Sequence, residues 1–333
     1  MPQKIIISGA NLRSNGFELG PGKYYDEAKL ISLDLESGEF STLISLKNVK
    51  ENYPSEHPNI QFTAGCIDPD DNDILWLPTD TEIRKYQLPN LLLLSSYSHP
   101  CFHNIHSVNV YERKLYVTST GLDNVVILSK ETGKVLEILN AEGKDPWHRF
   151  CPDTDYRVLH STRPHDAHPN YVFRLNDQLW VTRCKQEDAV NLSDVSQSIK
   201  LSDGESVSVH DGLEWQEKII FTQVSGHLVI IDRADTNKKT ILDLFGNSNS
   251  RPIGWCRGLF IKDDICYVGF SKLRKTRMID KLKFLSKGNL KYSSGNNALV
   301  VSYDLKSQKL LEVYETQDGV IDAIYGVLPF NYE

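Results

Sequence analysis

Three histidines, His106, His168 and His210, each stand where a polar segment gives way to a run of apolar residues that reads as a strand. Imidazole is a common ligand for divalent metal ions, and three of them on one side of a site leave positions open for water or substrate. Hydrogen bonding to backbone carbonyls is the plain alternative for the same residues, and metal-free acid–base chemistry is another. Thr63, Arg257 and Asp322 stand at the corresponding places elsewhere in the chain. Arg257 suits two-pronged contact with a carboxylate or phosphate, or else a salt bridge to Asp322. Asp322 suits a fourth metal ligand, a general base, or a hydrogen bond between neighbouring elements. His103 and His165 lie close to the same strand starts. His165 is the second candidate for proton transfer, and a solvated loop position is the ordinary reading for both.

Lys272, Arg274, Lys275 and Arg277 form a short cationic run just beyond a strand. In a chain of net charge −7, a concentrated positive patch steers small anions, although a solvated basic loop is the common use of such a run. The candidate substrate contacts are therefore Arg257, Lys272, Arg274 and Thr63. The acidic balance argues against general nucleic-acid binding, which relies on basic surface. Phosphate-cradling G-x-x-x-x-G-K-[ST], the G-x-S-x-G elbow and H-E-x-x-H do not occur. Six scattered cysteines with no C-x-x-C pair read as free thiols in a reducing compartment; among them Cys256, beside Arg257, is the one whose neighbour favours thiolate.

The elements that must carry these residues are short. β-rich runs separated by Gly, Asn, Asp and Ser recur along nearly all of the 333 residues, and long helical periodicity is scarce. One unit repeats: an approach strand, a polar turn, a strand of the form Leu115-Tyr116-Val117-Thr118 or Leu179-Trp180-Val181-Thr182, then two further strands around a second turn. Copies recur at about 42 to 47 residues where no insertion intervenes, the length of a four-stranded propeller blade. The C-terminal run around Ile321 to Val327 supplies an inner strand that the N-terminal runs lack. The expected fold is an all-β, six-bladed β-propeller in a single domain. Its blades fall near 59–99, 103–140, 166–203, 207–245 and 253–316, and the sixth joins 1–50 to 319–333. In such a ring the inner-strand starts and the turns between second and third strands share one face. Three long insertions, Ala10 to Asp26, Asn140 to Ala167 and Lys272 to Asn296, fall there too.

The segments Asn104-Ile105-His106, Ala167-His168-Pro169-Asn170, Val209-His210-Asp211-Gly212, Gly226-His227-Leu228, Arg257-Gly258-Leu259-Phe260 and Val268-Gly269-Phe270-Ser271-Lys272-Leu273-Arg274 resemble an uncharacterised bacterial family of six-bladed β-propellers, a domain of unknown function. The resemblance spans roughly Asn104 to the C-terminus. It implies the fold and a shared histidine-bearing face, and no activity. The residues themselves lead to an expected metal-assisted enzyme with a divalent cation on His106, His168 and His210, acting as a lyase or epimerase on a small anionic substrate that bears a carboxylate or phosphate, with sugar derivatives among the candidates. A lactonase-like hydrolase and a non-catalytic scaffold for protein or glycan are the alternatives. No signal peptide or membrane-length apolar run is evident, so a cytoplasmic location is expected, without nucleic-acid or membrane partners.

Overall fold

The computed structural model describes residues 3–49, 51–202, 207–246, 251–252, 254–272, 292–293 and 297–332. The alternating apolar runs form six four-stranded antiparallel sheets, with one further two-residue parallel pairing of Arg251–Pro252 and Tyr292–Ser293. Blade two contains Cys66–Asp68, Asp71–Pro78, Ile83–Gln87 and Leu92–Tyr97. Blade three contains Ile105–Tyr111, Lys114–Ser119, Asn124–Ser129 and Val135–Asn140. Blade four runs through Pro169–Leu175, Gln178–Arg183, Asp188–Asn191 and Ser198–Lys200. Blade five runs through Val209–Trp215, Lys218–Gln223, His227–Asp232 and Lys239–Asp243. Blade six is built from Gly254–Lys262, Ile265–Lys272, Leu299–Asp304 and Lys309–Glu315.

Blade one joins the chain ends. Ala323–Phe330 pairs with Lys4–Leu12, placing Ile5 opposite Pro329 and Ile7 opposite Val327, and Tyr25–Asp34 and Phe40–Leu46 complete the sheet. The fold is a six-bladed β-propeller. Each sheet buries both faces of its central strands against the next sheet, and the core is accordingly divided into interblade layers. Ile220 and Leu228 of blade five meet Val268 and Val301 of blade six, and Ile5 and Ile31 of blade one meet Val300 of blade six. Equivalent layers join blades one and two, two and three, three and four, and four and five. Ring closure therefore rests on apolar burial at every blade boundary as well as on the strand pairing that seals blade one.

The inner strands are not regular. Register shifts fall between Ile105 and Val108, Pro169 and Tyr171, His210 and Leu213, and Cys256 and Leu259. A bulge bends its strand and re-aims the side chain beside it, and these sit at or next to the three histidines and Arg257. Among the described residues no helix is long and apolar enough to cross a membrane.

Candidate functional site

At one mouth of the central channel lies a cavity of about 620 Å³. His106, His168 and His210 line it, each delivered by the bulged start of a successive inner strand. His168 adopts φ +56°, an unusual conformation for a residue with a side chain. The cause is local. The buried Asp123 carboxylate accepts three successive backbone N–H groups, from Asp166 at 2.9 Å, Ala167 at 2.9 Å and His168 at 2.7 Å, and also pairs with Arg149. A chain folded around an anion in this way is held in the conformation that turns His168 inward.

The imidazoles pack against one another. Ring centroids of His106 and His168 are 4.8 Å apart, edge to face, and those of His106 and His210 are 6.1 Å apart and nearly parallel. His165 places Nδ1 2.7 Å from His168 Nδ1. Burial is the main reason that His106, His168 and His210 are held well below the ordinary histidine pKa, with neighbouring positive charge adding to it. Burial likewise pushes His103 and His165 down to about 4. All five are neutral at neutral pH and retain a nitrogen lone pair.

The other half of the wall is different. Arg257 lies across the Tyr325 ring at 3.6 Å, donates Nε–H to the Ile324 carbonyl at 2.9 Å, and buries Nη2 with no hydrogen-bond partner. Asp80, Asn59 and Gln61 line the wall contributed by blade two. Asp80 Oδ1 accepts from Asn59 at 3.1 Å and Gln61 at 2.8 Å, while burial raises the carboxyl to about 6 against the lowering effect of those bonds. Asp80 is the single acidic side chain among the described lining residues, where Arg163, Lys185 and Arg257 are cationic. The insertions at 10–26 and 140–167 form part of the rim through Gly22, Tyr24, His160, Ser161 and Arg163. Gly22, at φ +78°, lies so close to the His160 carbonyl that a β-carbon there would overlap it, so the two loops meet backbone to backbone.

Several residues singled out in the sequence stand elsewhere. Asp322 is not part of the wall: its carboxylate accepts the Leu12 N–H at 2.9 Å and pairs with Lys272 at 3.3 Å. Lys272 also binds Asp318 at 3.0 Å, so the two form a clamp between blades six and one. The inner strand of blade one begins at Ala323 and its preceding residue is drawn into the N-terminal strand, which explains the displacement. Thr63 is fully buried and is not among the residues that line the cavity; its N–H donates to the Pro78 carbonyl and its carbonyl accepts Ser8 Oγ, because the inner strand of blade two starts later, at Cys66. Arg274 and Lys275 lie outside the described residues. Cys256 is buried in the apolar layer between blades five and six and its thiol pKa is driven up, so the neighbouring Arg257 does not activate it. Cys184, which the sequence did not single out, does line the cavity and lies 3.0 Å from Ser208 Oγ.

The ligand nitrogens of His106, His168 and His210 do not converge. Among the described residues the one group of three whose ligand atoms lie within 4.8 Å of one another is Glu142, His148 and Asp166, none of which lines the cavity. Lys144 pairs with Glu142 at 2.9 Å and Arg149 with Asp166 at 3.0 Å, so protein cations already neutralise those carboxylates.

No family model and no curated protein matches the chain. Solved structures do match it. A protein of unknown function from Bacteroides caccae superposes over 100% of both chains with a TM-score of 0.62 and 8% identity. A chain from a nidogen/laminin complex covers 98% of this chain and 99% of its own, with a TM-score of 0.58 and 9% identity. A candidate 6-phosphogluconolactonase from Bacteroides fragilis covers 96% and 83%, with a TM-score of 0.50 and 9% identity. What they share is the fold. At such identities the likeness carries no activity across, and the function must be argued from the cavity itself.

Proposed function

We propose that the channel cavity is the site of a metal-assisted enzyme acting on a small, carboxylate- or phosphate-bearing substrate, sugar derivatives among the candidates, by proton abstraction of the lyase or epimerase type. The observation that carries this reading is the division of the wall: neutral buried imidazoles on one half, and on the other an arginine with a buried, unpartnered Nη2. His106, His168 and His210 are the donors we assign to a divalent cation. His106 supports this with a buried Nδ1 that has no partner. Binding must rotate at least one of the rings, since their nitrogens stand apart from one another. Three neutral ligands leave the cation its full charge, so an incoming anion meets no competing carboxylate shell, and the metal would supply stabilisation of developing negative charge. Arg257 would take the anion's remaining oxygens.

A lactonase-type hydrolase remains the alternative chemistry for the same donors, as one protein of similar fold is described as a candidate lactonase. A scaffold binding through this face would present an apolar patch there. Leu92, Leu93 and Leu94 are exposed on the outermost strand of blade two, whereas Phe17, Val158 and Leu159, also exposed, belong to the loops at 10–26 and 140–167, so a scaffold binding protein or glycan is a second reading of this face.

Metal analysis and calorimetry test the reading. Protein expressed in metal-replete medium and purified without chelator is expected to carry stoichiometric metal, and His106→Ala to lose it while remaining folded. Arg257→Ala is expected to weaken binding of sugar acids, hydroxy acids or sugar phosphates by about tenfold or more with metal content intact, because a hydrogen bond to a charged group is worth roughly 1.5–3 kcal/mol. Arg257→Lys should recover only part of the loss, since lysine lacks the planar fork. Metal-free wild type sinks the metal assignment, and undiminished anion binding by Arg257→Ala sinks the substrate assignment.

A further inference from the structure

We propose that Asp80 is the catalytic base of the cavity, taking the proton from the carbon beside the carboxylate of a ligand held by Arg257. This rests on the reading above and assigns the proton acceptor which that reading requires. Asp80 sits in the turn between Asp71–Pro78 and Ile83–Gln87, and that turn is locked. Thr79 Oγ1 accepts the backbone N–H groups of Thr81 at 3.3 Å and Glu82 at 3.1 Å, and the Tyr53 hydroxyl lies 2.6 Å from it. The Asp80 carbonyl accepts the Ile105 N–H at 3.1 Å, tying the turn to the strand that carries His106.

The carboxylate itself is held asymmetrically. Both amide donors, from Asn59 and Gln61, converge on Oδ1, and among the described residues no hydrogen bond reaches Oδ2. Asn59 is in turn oriented by accepting the Tyr25 N–H at 3.2 Å. One oxygen is thus fixed and the other left available, the arrangement a base needs to meet a substrate proton in a defined direction. Around the ring, blade one alone separates blade two, which carries Asp80, from blade six, which carries Arg257, and both side chains line the same cavity.

The other candidates are less suited to the role. His165 has Nδ1 engaged by His168, one of the residues assigned to the cation, and its buried Nε2 has no partner to orient it, while Asp322 is consumed in the clamp with Lys272. Burial that lifts Asp80 to about 6 also makes it a stronger base than an exposed carboxylate. In the step, the ligand's C–H bond breaks, an O–H bond forms on Asp80 Oδ2, and the electron pair passes into the ligand's carboxylate, whose oxygens face Arg257. No oxidant or reductant is needed.

The test is solvent exchange. Full-length, metal-replete protein is incubated in deuterium oxide with a panel of 2-hydroxy, aldonic and uronic acids, and loss of the proton adjacent to the carboxylate is followed by NMR alongside calorimetric binding of the same acids. Wild type is expected to exchange at least one acid that it binds, Asp80→Asn to exchange it on the order of a hundredfold more slowly with thermal unfolding little changed, and Gln61→Leu to fall severalfold. Exchange at the wild-type rate by Asp80→Asn overturns the assignment of Asp80 and leaves proton abstraction standing. Wild type that binds the acids but exchanges none overturns proton abstraction and the assignment together. Should Asp80→Asn fail to fold, an unchanged rate in Gln61→Leu overturns the assignment.

Discussion

Five imidazoles kept neutral inside one cavity set a pH dependence whose sign can be worked out. In the unfolded chain a histidine titrates near 6.5, whereas burial holds His103 and His165 at about 4 and His106, His168 and His210 well below the ordinary value. Below pH ~6.5 the unfolded state therefore binds protons that the folded state refuses, and stability is lost as pH falls toward the folded values. Asp80 and Asp211 act in the opposite sense. Burial raises each to about 6, so they are protonated more readily in the folded state, and the stability they contribute at low pH is lost as pH rises through that value. The histidines outnumber the two carboxyls. Chelator-treated protein is accordingly expected to show a urea midpoint that falls steadily between pH 7 and pH 5 at constant m-value. A midpoint that is flat or rises over that interval would contradict neutral imidazoles in the folded state.

At the scale of the strand, the site depends on backbone that leaves the regular path. Arg257 is followed by Gly258 at φ +82°, whose N–H binds Asp211 Oδ2 at 3.1 Å and whose added β-carbon would stand 3.3 Å from the backbone of Gly326. Asp211 is itself hydrogen-bonded by Thr222, so the bulges of blades five and six brace each other. Gly319 has nearly the same angle, φ +81°, and open space around it. Comparing the two separates backbone strain from crowding: Gly319→Ala should cost about 1–2 kcal/mol, the left-handed penalty alone, and Gly258→Ala distinctly more. Gly258→Ala should also weaken anion binding, since Arg257 moves with its neighbour. Denaturant titration and calorimetry on both variants check this, and equal costs would show that the approach to Gly326 is relaxed without penalty.

For the whole ring, the seal in blade one is decisive. Deleting residues 321–333 removes the innermost strand together with the buried side chains of Ile321, Ile324, Val327 and Phe330. At about 1.5–3 kcal/mol each, these four represent about 6–12 kcal/mol, comparable with the entire stability of an ordinary domain. The deletion also exposes the edge of Lys4–Leu12, a ready template for association between chains. The truncated chain is expected to be unfolded or aggregated by circular dichroism and light scattering. A monomeric product with wild-type thermal unfolding would be incompatible with closure of the ring through blade one.

Strand positions, the blade period and the pairing of the two chain ends were legible in the sequence because they depend on local alternation and on counting, and the three histidines were legible because they recur at the same phase of the repeat. Which side chain enters the cavity was decided only in three dimensions, where successive strand residues face opposite ways and a single-residue shift reverses them. The bulges turn His106, His210 and Arg257 inward, while Asp322 and Thr63, nominally their equivalents, are drawn into neighbouring strands. Asp80 occupies a turn of the class expected on that face, yet polar turn residues are too common to stand out. Its separation from other polar turn residues comes from Asn59 and Gln61, which reach it from the segment leading into the same blade, and only the folding of that segment back across the turn creates the contact.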